Sequence, residues 1–414
     1  MDFVCTRSGW RLGSGTPPAR SLSDPAHGDQ RTDYRHGSRN QLLPKCFGIA
    51  GIQRHEKPAG FGRRSSAMSL PSGKIPLFLA GARGLLAGEF LRLLHGHPAF
   101  SAIHLYSRLG GEPVQQIHPH LSSTQILQPL DDLAGDLAMA LQAGPAVLVL
   151  ALPHGASKPL WKILQQSWKA NSAPWQQNLY VVDFSEDFRL TQESAEPWQY
   201  GLPELHRQSL SESRLTAAPG CFATAMQLAV LPAASNDSVS QEHPWMFHGV
   251  TGSSGSGAEP KPGAHHPFRH QNLWAYSRQG HRHEKELLHS RNGLGNPSVH
   301  FFAYSGPFSR GIHLTAHLPL KTKDETSKTW LQQYREFYQG CPFVQILEQE
   351  APSIRAVAGS NRADVQVMVR DAWLHVFLAL DNTLKGGAGQ ALQSLNLMLG
   401  YPESTALPLV GHGY

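Results

Sequence analysis

In "APGCFATAMQLAVL", Cys221 follows Pro219-Gly220 and opens an apolar run that reads as a helix. A Pro-Gly turn into a helix leaves such a cysteine among unpaired backbone N–H groups, which favour a thiolate and can stabilise an oxyanion. A small buried cysteine capping a helix would look the same, so both readings stand on this segment alone. A nucleophilic thiol also needs a proton partner. "GHRHEKEL" offers His281, His283 and Glu286, the last two on one face if the segment is helical. Taken alone, that segment reads as a solvated, charged helix start.

A second set of residues points to a nucleotide. Gly81, Gly84 and Ala87 form a GxxGxxA turn with Arg83 inside it, between a strand over 75–80 and a helix carrying Leu85, Phe90, Leu91 and Leu94. Glycines there let the backbone approach a pyrophosphate, and the helix N-terminus supplies N–H donors. The next strand, "SAIHLYSR", ends in Ser107-Arg108, where an enzyme choosing NAD usually places an acid. A hydroxyl and a guanidinium suit a 2′-phosphate, so the expected cofactor is NADP(H).

These residues need a scaffold, and the pattern supplies one. Buried strands in "AVLVLALPHGAS" and "LYVVDFSEDFRL" continue a parallel α/β unit, whereas alternating strands after Cys221, with one amphipathic helix over 324–339, suggest a mixed or antiparallel sheet. The expected fold is α/β. A Rossmann-type NADP-binding domain spans 74–220, an α+β catalytic and oligomerisation domain spans 221–380, and a C-terminal helix in 381–414 packs back on the first domain.

Composition narrows the function. The net charge of +5 comes from residues 1–67, which hold eleven Lys+Arg and five acids; the rest has 25 basic and 26 acidic residues. Nucleic acid is therefore not an expected partner. Residues 1–73 read as a disordered basic leader, and Met68, just before "SLPSGKIPLFLAG", as the true start of an over-extended frame. A transit peptide fits less well, because the segment contains acids and no clear amphipathic helix. No apolar run approaches the roughly 20 residues of a membrane span. Of four cysteines, Cys221 and Cys341 lie in the body without CxxC spacing, and no HExxH occurs among the 23 histidines. Neither a metal nor a disulfide framework is expected, and a reducing, cytoplasmic setting fits.

The motifs "LALPHGAS", "VVDFSEDFRL" with "YGLPELHR", "APGCFATA", "GVTGSSGSGAEPKP", "GHRHEKEL" and "DNTLKGGAGQALQSLNLM" stand in the order found in N-acetyl-γ-glutamyl-phosphate reductases, relatives of aspartate-semialdehyde dehydrogenase. The chain resembles that family from about Lys74 onward. The resemblance implies that Cys221 attacks an acyl phosphate, phosphate leaves, and NADPH reduces the thioester to a semialdehyde. It makes His283 the acid/base, with His281 as the alternative, and Glu286 the accompanying carboxylate. Gly81, Arg83 and Gly84 fall in its phosphate turn, Ser107 and Arg108 at the 2′-phosphate, and Asn382, Lys385 and Gly386 in the segment returning to the nicotinamide. His154, Arg189 and Arg269 become candidates for substrate contact, and a homodimer or homotetramer is implied.

The chain departs from the family at Arg83, usually Ser or Thr, and at Leu85, usually Tyr. Gly88 is shared with sister enzymes acting on carrier-linked aminoadipate. Carrier-linked or aspartyl phosphates are thus alternative substrates. A cysteine hydrolase would leave the NADP features without purpose, and a non-catalytic NADP sensor would not need Cys221 with a histidine.

Overall fold

The computed structural model describes residues 74–170, 172–190, 196–234, 236–289 and 297–413; the basic leader and Met68 lie outside them. The apolar runs of the first half form a seven-stranded sheet in the order β3-β2-β1-β4-β5-β7-β6. Its strands are β1 (Ile75–Ala80), β2 (Phe100–Ser107), β3 (Gln128–Pro129), β4 (Ala146–Leu150), β5 (Leu179–Asp183), β6 (Gln199–Tyr200) and β7 (Leu215–Ala217), and every pairing is parallel. β4 and β5 are buried at all positions because helices cover both faces.

Side-chain alternation divides that burial. Leu77, Leu79, Val147 and Val149 join a core with α1 (Leu85–Leu94), whereas Phe78, Ala80, Leu148 and Leu150 pack under α3 (Leu133–Ala143) and α4 (Ser157–Ala170). The short α2 (Val114–Ile117) and α5 (Trp175–Asn178), then α6 (Pro203–Glu212), complete this half. Leu85, expected on the buried face of α1, is instead 40% exposed, and Leu86 packs against the core. Strand order reverses between β1 and β4, which opens a ligand crevice at the carboxyl ends of the strands.

The second half forms another seven-stranded sheet, β12-β13-β14-β11-β8-β10-β9. It comprises β8 (Trp245–Thr251), β9 (Trp274–Tyr276), β10 (Val299–Ser305), β11 (Ile312–Pro319), β12 (Val344–Ile346), β13 (Ala363–Arg370) and β14 (Trp373–Leu380). β8–β10 and β12–β13 are parallel and the other pairs antiparallel, so the sheet is mixed. Trp245, Phe247, Leu314, Val376 and Leu378 face inward onto α7 (Cys221–Ala234), which is buried from Phe222 to its end. The remaining helices here are α8 (His266–Arg269), α9 (Arg282–His289), α10 (Ser327–Phe337) and α11 (Ile354–Val357). Finally α12 (Gly389–Leu399) returns to the first sheet, where Ala391, Leu392, Leu395 and Met398 share a core with Leu77 and Phe90.

One polar pair holds α7 in place. Pro232 lies inside the helix and has no N–H for the Leu228 carbonyl. The Tyr338 hydroxyl donates to that carbonyl at 2.6 Å, and one turn earlier in the chain the Tyr334 hydroxyl donates to Ala229 O at 2.7 Å. Tyr338→Phe therefore leaves a buried carbonyl unpaired and should cost about 1–3 kcal/mol in urea denaturation. Michaelis constants should stay as in the parent, since neither tyrosine reaches the strand ends.

Candidate active site

β7 ends at Ala217, and Ala218, Pro219 and Gly220 carry the chain into α7, whose first residue is Cys221. Gly220 is required by a close approach, because any side chain there would overlap the His283 ring. The imidazole therefore lies directly on the backbone preceding the thiol. Its α9 neighbour Glu286 accepts from Gly220 N–H at 3.0 Å, from the Tyr200 hydroxyl at 2.9 Å and from Arg189 Nη1 at 2.9 Å. His283 Nε2 is 3.9 Å from Glu286 Oε1, beyond hydrogen-bond reach. Glu286 thus fixes the cysteine turn rather than holding the imidazole by a hydrogen bond, which corrects the expected pairing.

Charge at the site differs from what the turn suggested. Cys221 is partly exposed, yet the protein around its sulfur removes enough water for burial to push the thiol up. The Phe222 N–H and the charges of Arg189 and Arg282 pull the other way without reversing that shift. Burial, followed by the neighbouring imidazoles of His281 and His154 and the charges of Arg189 and Arg282, holds His283 well below the ordinary histidine range. Burial and Arg282 push His281 down to about 4. Both shifts favour the uncharged thiol and the uncharged imidazole, the opposite direction to the lowered thiol pKa that the helix start suggests.

His281 packs its ring against Phe222, Tyr276 and Phe301, and its Nδ1 accepts from the backbone N–H of His283 at 3.2 Å. Among the described residues the Nδ1 of His283 has no hydrogen-bond partner.

The glycine turn is built for close approach as well. Gly81 has φ +91°, and a side chain there would strike the Ala151 carbonyl at the end of β4. Gly84 precedes α1 without any side-chain cap, which leaves the first-turn N–H groups open to an anion. The residues thus fit a dinucleotide pyrophosphate. The returning segment closes the distance to the thiol. A side chain at Gly386 would overlap the Cys221 Cβ, and one at Gly387 would overlap Leu86 in the first turn of α1.

The model of the semialdehyde dehydrogenase NAD binding domain matches residues 77–213, and that of the semialdehyde dehydrogenase dimerisation domain matches residues 221–382. The chain belongs to the semialdehyde dehydrogenase family.

Among its relatives, N-acetyl-gamma-glutamyl-phosphate reductase of Methanopyrus kandleri is 34% identical, over 81% of this chain and 98% of that protein. The LysW-L-2-aminoadipate/LysW-L-glutamate phosphate reductase of Saccharolobus solfataricus is 35% identical, over 81% of this chain and 98% of that protein. The fold matches aspartate semialdehyde dehydrogenase II of Vibrio cholerae with a TM-score of 0.58 at 14% identity, covering 79% of this chain and 99% of that one. A Candida albicans aspartate semialdehyde dehydrogenase solved with NADP gives 0.55 at 13% identity, covering 79% and 98%. The chain is an oxidoreductase of this family, with an NAD(P)-binding and a dimerisation domain. Among the described residues no helix is long and apolar enough to cross a membrane.

Within this family frame, several sequence-selected side chains have other work. Arg189 is buried and donates to Ala218 O, Phe184 O and Glu286, so it ties the ends of β5 and β7 to α9 and is not open to substrate. Arg269 donates to Ser305 Oγ at 2.7 Å and to Gly306 O, with its guanidinium over Trp274. Lys385 is fully buried in an ion pair with Glu204 at 2.6 Å and a bond to Gln393 at 2.7 Å. Its ammonium cannot reach a cofactor, which corrects that expectation. The Asn382 amide is also engaged, accepting from Gly311 N–H and donating to Ser254 Oγ.

The remaining candidates range from the buried Ser107 to exposed side chains at the rim. His154 is exposed at the rim, where its Nδ1 accepts from Glu186 N–H at 3.1 Å. Ser107 accepts from Gly110 N–H, Arg108 is exposed, and Arg83 pairs with Glu112.

The sequence reading missed Tyr200 and Gln227, although each left a signal. Tyr200 opens "YGLPELHR", and Gln227 is the one amide in the largely apolar α7; Gln227 Nε2 donates to the Tyr200 hydroxyl at 2.7 Å. Together they orient the tyrosine toward Glu286.

Two outcomes follow for stability. Glu204→Gln or Lys385→Met alone leaves a buried partner uncompensated and should cost about 3–5 kcal/mol in denaturant titration, whereas replacing both with apolar residues should recover part of that loss. For pH, His281 and His206 are each held down to about 4, and His283 is also lowered. Because the unfolded chain binds protons near the usual histidine value of about 6.5, the contribution of His281 and His206 is complete above that pH and disappears as pH falls toward 4. Melting temperature should drop over that window, and less steeply in His206→Phe.

Proposed function

We propose that the protein reduces an acyl phosphate to its aldehyde with NADPH through a thioester on Cys221, and that the acyl phosphate is N-acetyl-γ-glutamyl phosphate. The observation that carries this reading is the placement of Gly386 and Gly387 between Cys221 and Leu86. One segment thus joins the phosphate cradle to the thiol. Cys221 Sγ attacks the acyl carbon while its proton passes to His283, with His281 as the alternative. The carbon–oxygen bond to phosphate breaks, and the leaving phosphate takes that proton. NADPH, when bound, would supply the hydride that reduces the thioester carbonyl; the carbon–sulfur bond then breaks to leave the aldehyde, and a solvent proton returns through the histidine to the thiolate.

NADPH is preferred over NADH because Ser107 and the exposed Arg108, rather than a carboxylate, end β2. For the substrate's anionic groups, Arg282 replaces Arg189 and Arg269. It is about half exposed, stands 3.6 Å from Glu186, and lowers the thiol and His283 by its charge. The arginine-pathway substrate follows the names of several relatives, and the similar identity of the Saccharolobus protein favours a carrier-linked acyl phosphate as the second reading. Assembly into a homodimer or homotetramer is proposed through the second sheet.

Purified protein given NADP, phosphate and N-acetylglutamate semialdehyde should produce NADPH absorbance at 340 nm by the reverse reaction. No signal with either the N-acetyl or the carrier-linked aldehyde would sink the reading. Cys221→Ser should abolish turnover with NADPH binding intact, and His283→Asn should lower kcat by about 10²–10⁴.

A further inference from the structure

We infer that His118 is a positioning residue for the dinucleotide, bolting the glycine turn before α1 in the shape that receives its phosphates. The inference rests on the proposal that residues 81–84 bind a dinucleotide. His118 follows α2 and is 4% exposed, among neither the cysteine and histidines nor the Glu286 contacts. Its Nε2 lies 2.7 Å from the Ala82 carbonyl, so that nitrogen carries the proton and donates to the centre of the turn. The two preceding peptides are held from β2, where Gly81 N–H and Ala82 N–H both donate to Tyr106 O, at 2.9 and 3.0 Å. The turn is therefore gripped from β2 and from His118. Because a trans peptide points its C=O and N–H in opposite directions, fixing the Ala82 carbonyl also fixes the Arg83 N–H to face away from His118.

Two further observations belong to the same device. A Cβ at Gly88 would lie 2.5 Å from His118 Nδ1, which explains a glycine inside a helix that glycine disfavours. The ring needs that room to reach the turn. Arg83, where the family usually has Ser or Thr, is held by Glu112 from the segment that also carries His118. One stretch of chain, residues 112–118, thus holds the turn by backbone and by side chain.

The test measures cofactor affinity rather than turnover alone. NADPH and NADH are titrated by fluorescence into the full chain and into His118→Ala, His118→Gln, Gly88→Ala and the Gly88→Ala/His118→Ala pair, with urea denaturation alongside. Loss of the donor should weaken the preferred cofactor about tenfold in His118→Ala, and glutamine, which can donate from the same place, should restore most of it. The substrate KM should stay within about twofold and kcat at saturating cofactor within about threefold, as expected for ground-state cofactor positioning. Gly88→Ala should weaken cofactor binding by displacing the ring, and adding His118→Ala should weaken it no further. Unchanged affinity in a folded His118→Ala overturns the role of His118 alone, as does failure of glutamine to restore it. Absence of binding by the unaltered protein overturns the dinucleotide reading and this inference with it.

Discussion

The carboxylate of Glu286 is the contact on which the rest of the site depends. Three donors from three separate parts of the chain converge on it: the Arg189 guanidinium, the Tyr200 hydroxyl and the Gly220 N–H. Arg189 is anchored in turn to Phe184 and Ala218 at the ends of β5 and β7. A buried carboxylate is stable only when its charge and lone pairs are satisfied, and here the satisfaction is also mechanical. The first sheet, the cysteine turn and the histidine helix are pulled to a single point. His283 needs no tether of its own, because Gly220 provides the space and Glu286 fixes both the turn beneath it and the helix that carries it.

A second polar system sets the segment that closes the site. Asp381 accepts from Thr383 N–H, Leu384 N–H, Gly359 N–H and Arg310, while Arg310 also reaches Thr383 and, on α1, Glu89. Lys385 and Glu204 pin the same stretch from below. Residues 381–388 therefore touch both halves of the molecule. Gly386 and Gly387 can lie against Cys221 and Leu86 because the polar residues around them absorb the backbone's demands.

Much of this was readable from pattern. Continuous apolar runs implied strands buried on both faces, and β4 and β5 are fully buried; alternating runs implied a sheet with one covered face, as Trp245 and Phe247 show against the exposed His248. Cysteine, histidine and glycine positions were legible because their chemistry restricts them to few settings. Arginine and lysine were not. Arg189, Arg269 and Lys385 have the composition of ligand contacts, but whether a cation meets substrate or a buried carbonyl is decided by neighbours distant in sequence. The thiol's ionisation was missed for a related reason. The helix N-terminus is visible in sequence, whereas the desolvation that outweighs it arises only when α9, β9 and the returning segment assemble around Cys221.

That neutral resting thiol has a consequence for the life of the protein between turnovers. Thiolates attack peroxides and disulfides far faster than thiols do, and burial pushes the Cys221 thiol up, toward its protonated form. An idle molecule therefore presents a poor target to oxidants, although its sulfur is partly exposed. In the proposed reaction the sulfur acts when an acyl group stands in front of it, and the enclosure that makes the cysteine a reluctant acid also shields it.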